Sequence, residues 1–514
     1  MIKVELSENM FEYDIQALCK AFYPLDKISF CVKGEADNTQ HKKAAEETIF
    51  YIDVQYEKEK IQITIKDKEQ KKEFVKECKT NQDNRRYYKN DLKRLLYQML
   101  CEKTNRTLPW GTLTGVRPSK LSMERLYLDE TKEEIFSYMK EQYLCSEDKI
   151  ELGYTVAKKE KEILEKIDYE NGYSLYIGIP FCPTRCLYCS FTSYPLEKHK
   201  DWVEPYLEAL FKEITYAGKC ITDKKLTTVY IGGGTPTTLT AEQLERLLVK
   251  VKETFPVEEA QEFTVEAGRP DSITEEKLRV LEEQGVTRIS INPQTMQQRT
   301  LDLIGRRHAV EDIERVFHMA RRNGHRNINM DLIAGLPGET LEDMKDTLEK
   351  IQKLDPDSIT VHSLVVKRAA DLNLPDGRKL SESLGDTTEM LTAAHEFAEE
   401  NQYKPYYMYR QKNTTGAGTS IQENVGYAKE GYEGIYNILI MEEKQTILAL
   451  GAGASTKIMF PKENRLERIE NVKSLKEYIE RIDEMIERKR SFFRVYKRKI
   501  GNSLANRYSL AIMN

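Results

Sequence analysis

The chain has 514 residues, of which 40% are hydrophobic and 32% charged. That is enough apolar material for a core and too long a chain for one domain, so two or three domains are expected. The formal net charge of −5 excludes broad electrostatic affinity for nucleic acid, and no stretch approaches the roughly 18 apolar residues of a membrane span.

Residues 1–70 alternate strand-like runs, Ile2–Leu6, Ile28–Gly34, Thr48–Tyr56 and Gln62–Ile65, with one helix near Tyr13–Ala21. Lys71–Leu100 reads as a charged helix. Its Arg85, Arg86, Lys89, Lys93 and Arg94 make a basic stretch, either a solvated helix face or a seat for an anionic partner. Residues 115–170 read as helical, with Trp110–Lys120 a glycine-containing turn in which Arg117 has a structural role.

From residue 173 the pattern changes. Six strands are expected: Tyr173–Ile179, Thr227–Ile231, Glu262–Glu266, Arg288–Ile291, Ile328–Ile333 and Ser358–Leu364. Helices such as Trp202–Ala217, Ala241–Thr254 and Leu341–Ile351 fill the gaps. Six βα units predict an α/β fold with a parallel sheet, an open partial barrel with active groups at the C-terminal strand ends. Past residue 380, Thr387–Asn401 and Lys473–Arg488 read as helices, Tyr406–Arg410 and Thr446–Gly451 as strands, and SFFRVYKRK as a strand or extended tail. This smaller region is expected to cap the barrel mouth. The expected division is 1–165 (an N-terminal α/β unit with a helical extension), 166–380 (the partial barrel) and 381–514 (a C-terminal region).

Of nine cysteines, Cys19, Cys31, Cys78, Cys101, Cys145 and Cys220 are scattered, which speaks against a disulfide scaffold and for a reducing, cytoplasmic setting. The N-terminal residues lack a signal-like apolar run. Cys182, Cys186 and Cys189 fall together in GIPFCPTRCLYCSF, just after the first barrel strand. Soft thiolates select zinc or an iron–sulfur centre. Three from one loop leave a four-iron cluster with one iron free of protein ligands; a zinc site would need Cys220 or His199 to complete it. Tyr188 is placed to cover such a cluster and a bound adenine, or to pack in the core. Phe191 is expected to shield the cluster from water.

Other strand ends carry candidates. Gly232, Gly233, Gly234 and Thr235 suit close approach of an amino acid's ammonium and carboxylate, with backbone N–H and C=O groups free to bind them; the bland reading is a tight turn. Glu266 needs a partner if buried, with Arg269 three residues on. Gln294 follows the fourth strand, able to bind a ribose or carboxylate. Arg306 suits a carboxylate. Asp331, in an apolar strand, needs hydrogen bonds, for example from ribose hydroxyls or Arg306.

The runs LYIGIPFCPTRCLYCSF, YIGGGTPT, VEAGRPDSIT, RISINPQTM, GRRH, NMDLIAGLPGET, VHSLVVKR and ALGAGAST, spanning roughly residues 173–456, resemble the radical S-adenosylmethionine (SAM) superfamily, and within it the oxygen-independent coproporphyrinogen III oxidase-like group, in its coproporphyrinogen dehydrogenase branch. The resemblance implies a (β/α)6 partial barrel and a [4Fe–4S] cluster on Cys182, Cys186 and Cys189. It also implies a SAM pocket of Gly232, Gly233, Gly234, Thr235, Glu266, Gln294, Arg306 and Asp331, with Tyr188 and Tyr176 near cluster and cofactor. The implied reaction is oxidative decarboxylation of coproporphyrinogen III to protoporphyrinogen IX by a 5′-deoxyadenosyl radical, with an unidentified electron donor and acceptor. Lys367, Arg368, Arg410 and Lys412 are then candidates for the tetrapyrrole's carboxylates. Rivals are a heme-binding chaperone from a sister branch, another radical enzyme acting on a tetrapyrrole, and a zinc scaffold. A monomer without nucleic-acid partners is expected. The resemblance departs at YYMYRQKNT, where the family usually has Tyr-Glu-Ile-Ser-Asn-Phe-Ala.

Overall fold

The computed structural model describes residues 1–24, 26–34, 50–68, 71–365, 370, 387–411, 423–463 and 465–494. Strands β1 (Ile2–Leu6), β2 (Ile28–Val32), β3 (Phe50–Tyr56), β4 (Lys60–Asp67) and β5 (Lys72–Lys79) form one sheet in the order β2-β1-β3-β4-β5. β1 runs parallel to both neighbours and the rest are antiparallel. β3, FYIDVQY, buries Phe50, Ile52, Val54 and Tyr56, the period-two pattern of a half-buried strand. That face packs on helices Glu12–Phe22 and Arg85–Thr104.

The expectation of helix from Lys71 fails over Lys72–Lys79. This edge strand is exposed over half its residues and carries lysine and glutamate, as edges do, so no apolar alternation marks it. The basic stretch is an exposed helix face at Arg85 and Arg86 and buried at Lys93, and its charges meet partners within the chain. Arg85 stacks on Phe11, Arg86 meets Glu124 and Tyr138, Lys89 and Lys93 face Asp14, and Arg94 bonds Asp91 and Gln142. Helices Lys120–Leu126, Lys132–Tyr143 and Glu147–Leu164 follow.

The second sheet has eleven strands. The named strands after residue 170 are β6 (Gly172–Ile179), β7 (Phe181–Cys182), β8 (Tyr194–Pro195), β9 (Lys225–Gly233), β10 (Glu262–Gly268), β11 (Arg288–Ile291), β12 (Ile328–Ala334), β13 (Ser358–Ser363), β14 (Lys404–Arg410), β15 (Glu423–Ala428), β16 (Thr446–Leu450), β17 (Ser455–Phe460) and β18 (Arg465–Glu470). β7 and β8 pair only with each other. The order of the rest is β14-β15-β13-β12-β11-β10-β9-β6-β16-β17-β18. β6, β9, β10, β11, β12 and β13 are parallel, the six strands expected of a partial barrel, and the order does not close on itself.

The strands after residue 400 join this sheet instead of forming a separate cap. β15 lies antiparallel on β13 at one side, and β16 lies parallel to β6 at the other. The strand or tail reading of SFFRVYKRK is corrected for residues 491–494, which continue a helix over 482–494; the remainder lies outside the described residues. Met485, Lys489 and Phe493 are all buried at the i, i+4, i+8 spacing of one helix face, and the charge of Lys489 hides that stripe. Among the described residues no helix is long and apolar enough to cross a membrane.

Candidate active site

At the C-terminal ends of the parallel strands lies a cavity of about 650 Å³. The loop from Pro180 to Pro195 forms one wall. Its ends are pinned by the β7–β8 pair and by Tyr194 N–H donating to Pro180 O at 2.8 Å. Its middle is tied to the strand ends opposite. Thr184 Oγ1 donates to Gly305 O at 2.9 Å, Leu187 N–H to Ile304 O at 3.1 Å, and Arg269 Nη1 to Thr184 Oγ1 at 2.6 Å.

Cys182, Cys186 and Cys189 all line the cavity. Each sulfur has a donor: Thr235 Oγ1 at 3.5 Å from Cys182 Sγ, Arg269 Nη1 at 3.7 Å from Cys186 Sγ, and the Phe191 backbone N–H toward Cys189. Burial still pushes the Cys182 thiol up to about 11 and the Cys189 thiol up as well. Buried thiols of this kind ionise when a metal takes the proton's place. Among the described residues no three His, Cys, Asp or Glu side chains close on one another as a preformed metal cage. Cys220 and His199, the residues a zinc site would need, lie off the cavity; the Cys220 thiol donates to Tyr216 O, and His199 Nδ1 lies 2.9 Å from Pro195 O. A donor set of three thiols and no fourth ligand fits a [4Fe–4S] cluster with one open iron better than four-coordinate zinc.

The glycine run acts through close approach. A Cβ on Gly232 would lie 2.7 Å from the Glu266 carboxyl carbon, and one on Gly234 would lie 2.5 Å from Phe181 O. Gly233 has φ 106°, a region glycine enters without strain. The expectation that this run frees its N–H groups for a ligand is corrected. Gly234 N–H donates to Ile179 O at 2.8 Å, Thr235 N–H to Phe181 O at 2.7 Å, and Gly233 N–H faces Glu266. Gly233, Gly234 and Thr235 line the cavity, whereas Gly232 does not and makes room for Glu266 behind it.

Glu266 accepts from Tyr230 Oη at 2.5 Å, and burial pushes its carboxyl up to about 7. Its expected neighbour Arg269 instead pairs with Asp271 at 2.6 Å. Gln294 lines the cavity at φ 70°, an uncommon backbone state for a side chain of its size. It is held there by Gln294 N–H to Asp331 O and Ile333 N–H to Gln294 O, both 2.9 Å. Arg306 donates to Asn292 O at 2.5 Å and to Tyr188 Oη at 3.5 Å, not to Asp331. Asp331 accepts from Asn329 Nδ2 at 2.7 Å and stands 3.9 Å from His362 Nε2. Burial pushes the Asp331 carboxyl up, but His362, Asn329 and Arg288 outweigh it and hold it below the usual carboxylate range. Tyr188 packs with Leu187 against Ile304, Ile333, Leu336 and Leu364 and lines the cavity. Tyr176 stacks with Tyr230 and Tyr436, whose centroids are 4.4 Å apart. Phe191, expected to shield the metal, is 68% exposed at the cavity's rim. Arg410 donates to Leu113 O at 2.7 Å and lies off the cavity, while Lys367, Arg368 and Lys412 fall outside the described residues.

Arg288, His362, Tyr407, Tyr409 and Asn424 also line the cavity and were missed. The signal was present in polar residues two apart in apolar strands: Thr228 and Tyr230, Arg288 and Ser290, Asn329 and Asp331, Thr360 and His362. That spacing points both members of each pair to the barrel interior. Several polar atoms there have no partner in the protein, among them Arg288 Nε, Ser290 Oγ, Asn292 Oδ1 and Arg306 Nε. Buried polar atoms are rarely left so, and here they face a ligand-sized space carrying two carboxylates, a fit for a cationic, hydroxyl-bearing cofactor such as SAM.

An open six-strand parallel barrel with three thiols on the loop after its first strand defines the class, and comparison with known proteins agrees. The sequence profile of the radical SAM superfamily matches residues 176–351. The oxygen-independent coproporphyrinogen-III oxidase-like protein HemZ of Bacillus subtilis (strain 168) is 39% identical over 426 residues, 82% of this chain and 84% of that protein. The heme chaperone HemW of the same organism is 34% identical over 283 residues, 55% of this chain and 70% of that one. The solved coproporphyrinogen III oxidase HemN of Escherichia coli aligns at TM-score 0.48 and 24% identity over 62% of this chain and 70% of that one. The chain belongs to the radical SAM superfamily, in the branch that holds the HemZ-like, coproporphyrinogen oxidase-like proteins.

Proposed function

We propose that the protein oxidatively decarboxylates propionate side chains of coproporphyrinogen III, giving the vinyl groups of protoporphyrinogen IX. The observation that carries this reading is the placement of three loop thiols and two strand-end carboxylates around one cavity, in a chain 39% identical over 82% of its length to a coproporphyrinogen oxidase-like protein. Cys182, Cys186 and Cys189 would hold the cluster. Glu266 and Asp331 would face the cationic and ribose parts of SAM, Arg306 its carboxylate, and Gln294 its ribose or carboxylate. When bound, cluster and SAM together supply one-electron reductive cleavage of the sulfonium and a carbon radical able to take hydrogen from an unactivated C–H bond.

The chain's own residues bind, orient and exclude water. Arg269, Thr235 and the Phe191 N–H place positive or donor groups on the three sulfurs, which would stabilise the negative charge of a thiolate-ligated cluster held there. The wall of Tyr176, Tyr230 and Tyr436 keeps solvent from the side of the cavity where Glu266 lies.

The test is anaerobic reconstitution with iron and sulfide, then incubation with SAM, a reductant and coproporphyrinogen III. The expected product has lost carbon dioxide and two hydrogens at each of two side chains, read by mass. Cleavage of SAM with the tetrapyrrole unchanged, together with one tightly held heme per chain, would instead favour the heme-handling role named for the HemW relative.

Glu266 makes a pH prediction. Below about 7 its carboxyl is protonated and neutral, and above it is anionic. A cationic ligand beside it binds the anionic form, so SAM affinity should rise about tenfold from pH 6 to pH 8 and then level off. Calorimetric titration of the iron-loaded protein checks this. Glu266→Gln should flatten the profile, and an equally steep profile in that variant would assign the proton to another group.

A further inference from the structure

The strands that carry the sheet beyond β12 set their inward side chains in rows. His362 on β13 is paired in register with Asn424 on β15, and Asn424 with Tyr409 on β14. All three line the cavity. One pleat deeper runs a second row of Tyr407, Gly426, Thr360 and Asp331. A Cβ on Gly426 would lie 2.0 Å from the Tyr407 ring, so Tyr407 lies flat across that position toward Thr360. Both rows line the cavity, the deeper one through Tyr407, Thr360 and Asp331 and the upper one through Tyr409, Asn424 and His362.

The upper row is made of donors. Asn424 Oδ1 accepts from Ser363 N–H at 3.2 Å, which turns the amide NH2 toward the cavity side. One of its N–H groups meets the Tyr409 oxygen, leaving the Tyr409 O–H to donate elsewhere. His362 closes the end of the row, its Nε2 turned toward Asp331. The nearest acid, Asp331, lies one pleat below, held by Asn329 and 3.9 Å from His362. Among the described cations lining the cavity, Arg269 bonds Asp271 and Thr184, Lys457 pairs with Glu443, Arg306 bonds Asn292 O and Tyr188, and Arg288 bonds Ser358, with Arg288 Nε and Arg306 Nε left open on the side proposed for SAM. The second Asn424 N–H and the Tyr409 O–H are left as adjacent donors, the arrangement that recognises a planar anion.

We infer that Tyr409, Asn424 and His362 form the seat of a substrate carboxylate. This rests on the proposed function for the identity of the carboxylate, which would be a propionate of the tetrapyrrole. The row stands one pleat above Asp331, so a carboxylate held on it keeps the carbons of its own side chain beside whatever ligand Asp331 faces.

The experiment is equilibrium dialysis of the iron-loaded protein, anaerobic and without reductant, against coproporphyrinogen III and separately against its tetramethyl ester. Retained ligand is oxidised to the fluorescent porphyrin for counting. Asn424→Asp keeps the acceptor for Ser363 but puts a negative charge on the row. It should weaken binding of the tetra-acid by about tenfold or more and leave the ester unaffected. Tyr409→Phe, which removes one donor and the oxygen that Asn424 meets, should weaken the tetra-acid by about three- to tenfold with the same ester control. Tetra-acid affinities within twofold of the unaltered protein in both variants, or equal losses for acid and ester, would overturn the seat while leaving the proposed reaction standing. Failure of the unaltered protein to hold either tetrapyrrole would overturn the substrate reading, and the seat with it.

Discussion

Lys489→Ala is expected to lower the free energy of unfolding by about 3–5 kcal/mol, the usual cost of stranding one partner of a buried pair. Lys489 and Glu213 are both 0% exposed, with Nζ 2.7 Å from Glu213 Oε1. Every polar atom around them is used. Lys489 also donates to Asn471 Oδ1 at 2.9 Å, and Asn471 Nδ2 donates to Glu213 Oε1 at 2.7 Å. Glu213 Oε2 accepts from Tyr478 Oη at 2.5 Å and from Gly451 N–H at 2.9 Å. Removing the ammonium leaves a buried carboxylate with neutral donors only. The same network holds Gly451, where a Cβ would lie 2.6 Å from Gly178 O, at the head of the turn whose Gly453, Ala454 and Ser455 line the cavity. Denaturant unfolding of the iron-free protein reads the loss. Glu213→Gln combined with Lys489→Met should recover part of it, because neither charge then remains to be buried. A loss under about 1 kcal/mol in Lys489→Ala would show that water or a neighbouring cation replaces the ammonium.

Much of the barrel was legible because its strands are buried on both faces and read as apolar runs of fixed length between amphipathic helices. Arg288–Ile291 and Ala241–Thr254 came out with the expected bounds, and the other barrel strands within a few residues. Elements with little burial, or whose buried face carries a charge, were hidden. β5 lies on an edge and shows no apolar face, and the helix over 482–494 places a lysine at the centre of its buried stripe. In the candidate site, the strand-end acids and the cysteine loop stand out by residue type. What type alone could not give was pairing: Arg269 goes to Asp271 rather than Glu266, Arg306 goes to backbone carbonyls rather than Asp331, and Phe191 points to solvent. Partner choice among side chains within a few residues of one another depends on strand twist and loop path, which a spacing does not encode. The Tyr409–Asn424–His362 row was invisible for a related reason. His362 and Asn424 come from strands paired antiparallel across more than 60 residues of chain, and their register is set only when β15 docks on β13.

Cys186→Ala is expected to abolish both retention of a four-iron cluster and release of 5′-deoxyadenosine from SAM, with little change in the fold. Cys186 lies in the middle of the loop, 7% exposed, with its sulfur facing Arg269 Nη1 at 3.7 Å. The loop's course does not depend on that sulfur. Backbone bonds of Leu187 and Tyr194 and the Thr184 side chain hold it to the barrel, so loss of one small buried side chain should cost no more than about 1–2 kcal/mol. A cluster on these thiols would have no such redundancy. Two thiols remain after the change, and neither Cys220 nor His199 is on the cavity to replace the third. Arg269, held by Asp271, would still point Nη1 at the vacated position and offers iron no ligand. Iron content, the visible absorption of the reconstituted protein and chromatographic assay of 5′-deoxyadenosine are the readouts, with Cys220→Ala as the matched control expected to keep all three. Full 5′-deoxyadenosine release by Cys186→Ala would remove the three-thiol site from the chemistry. Iron retained without release would place Cys186 on the path to SAM and off the metal.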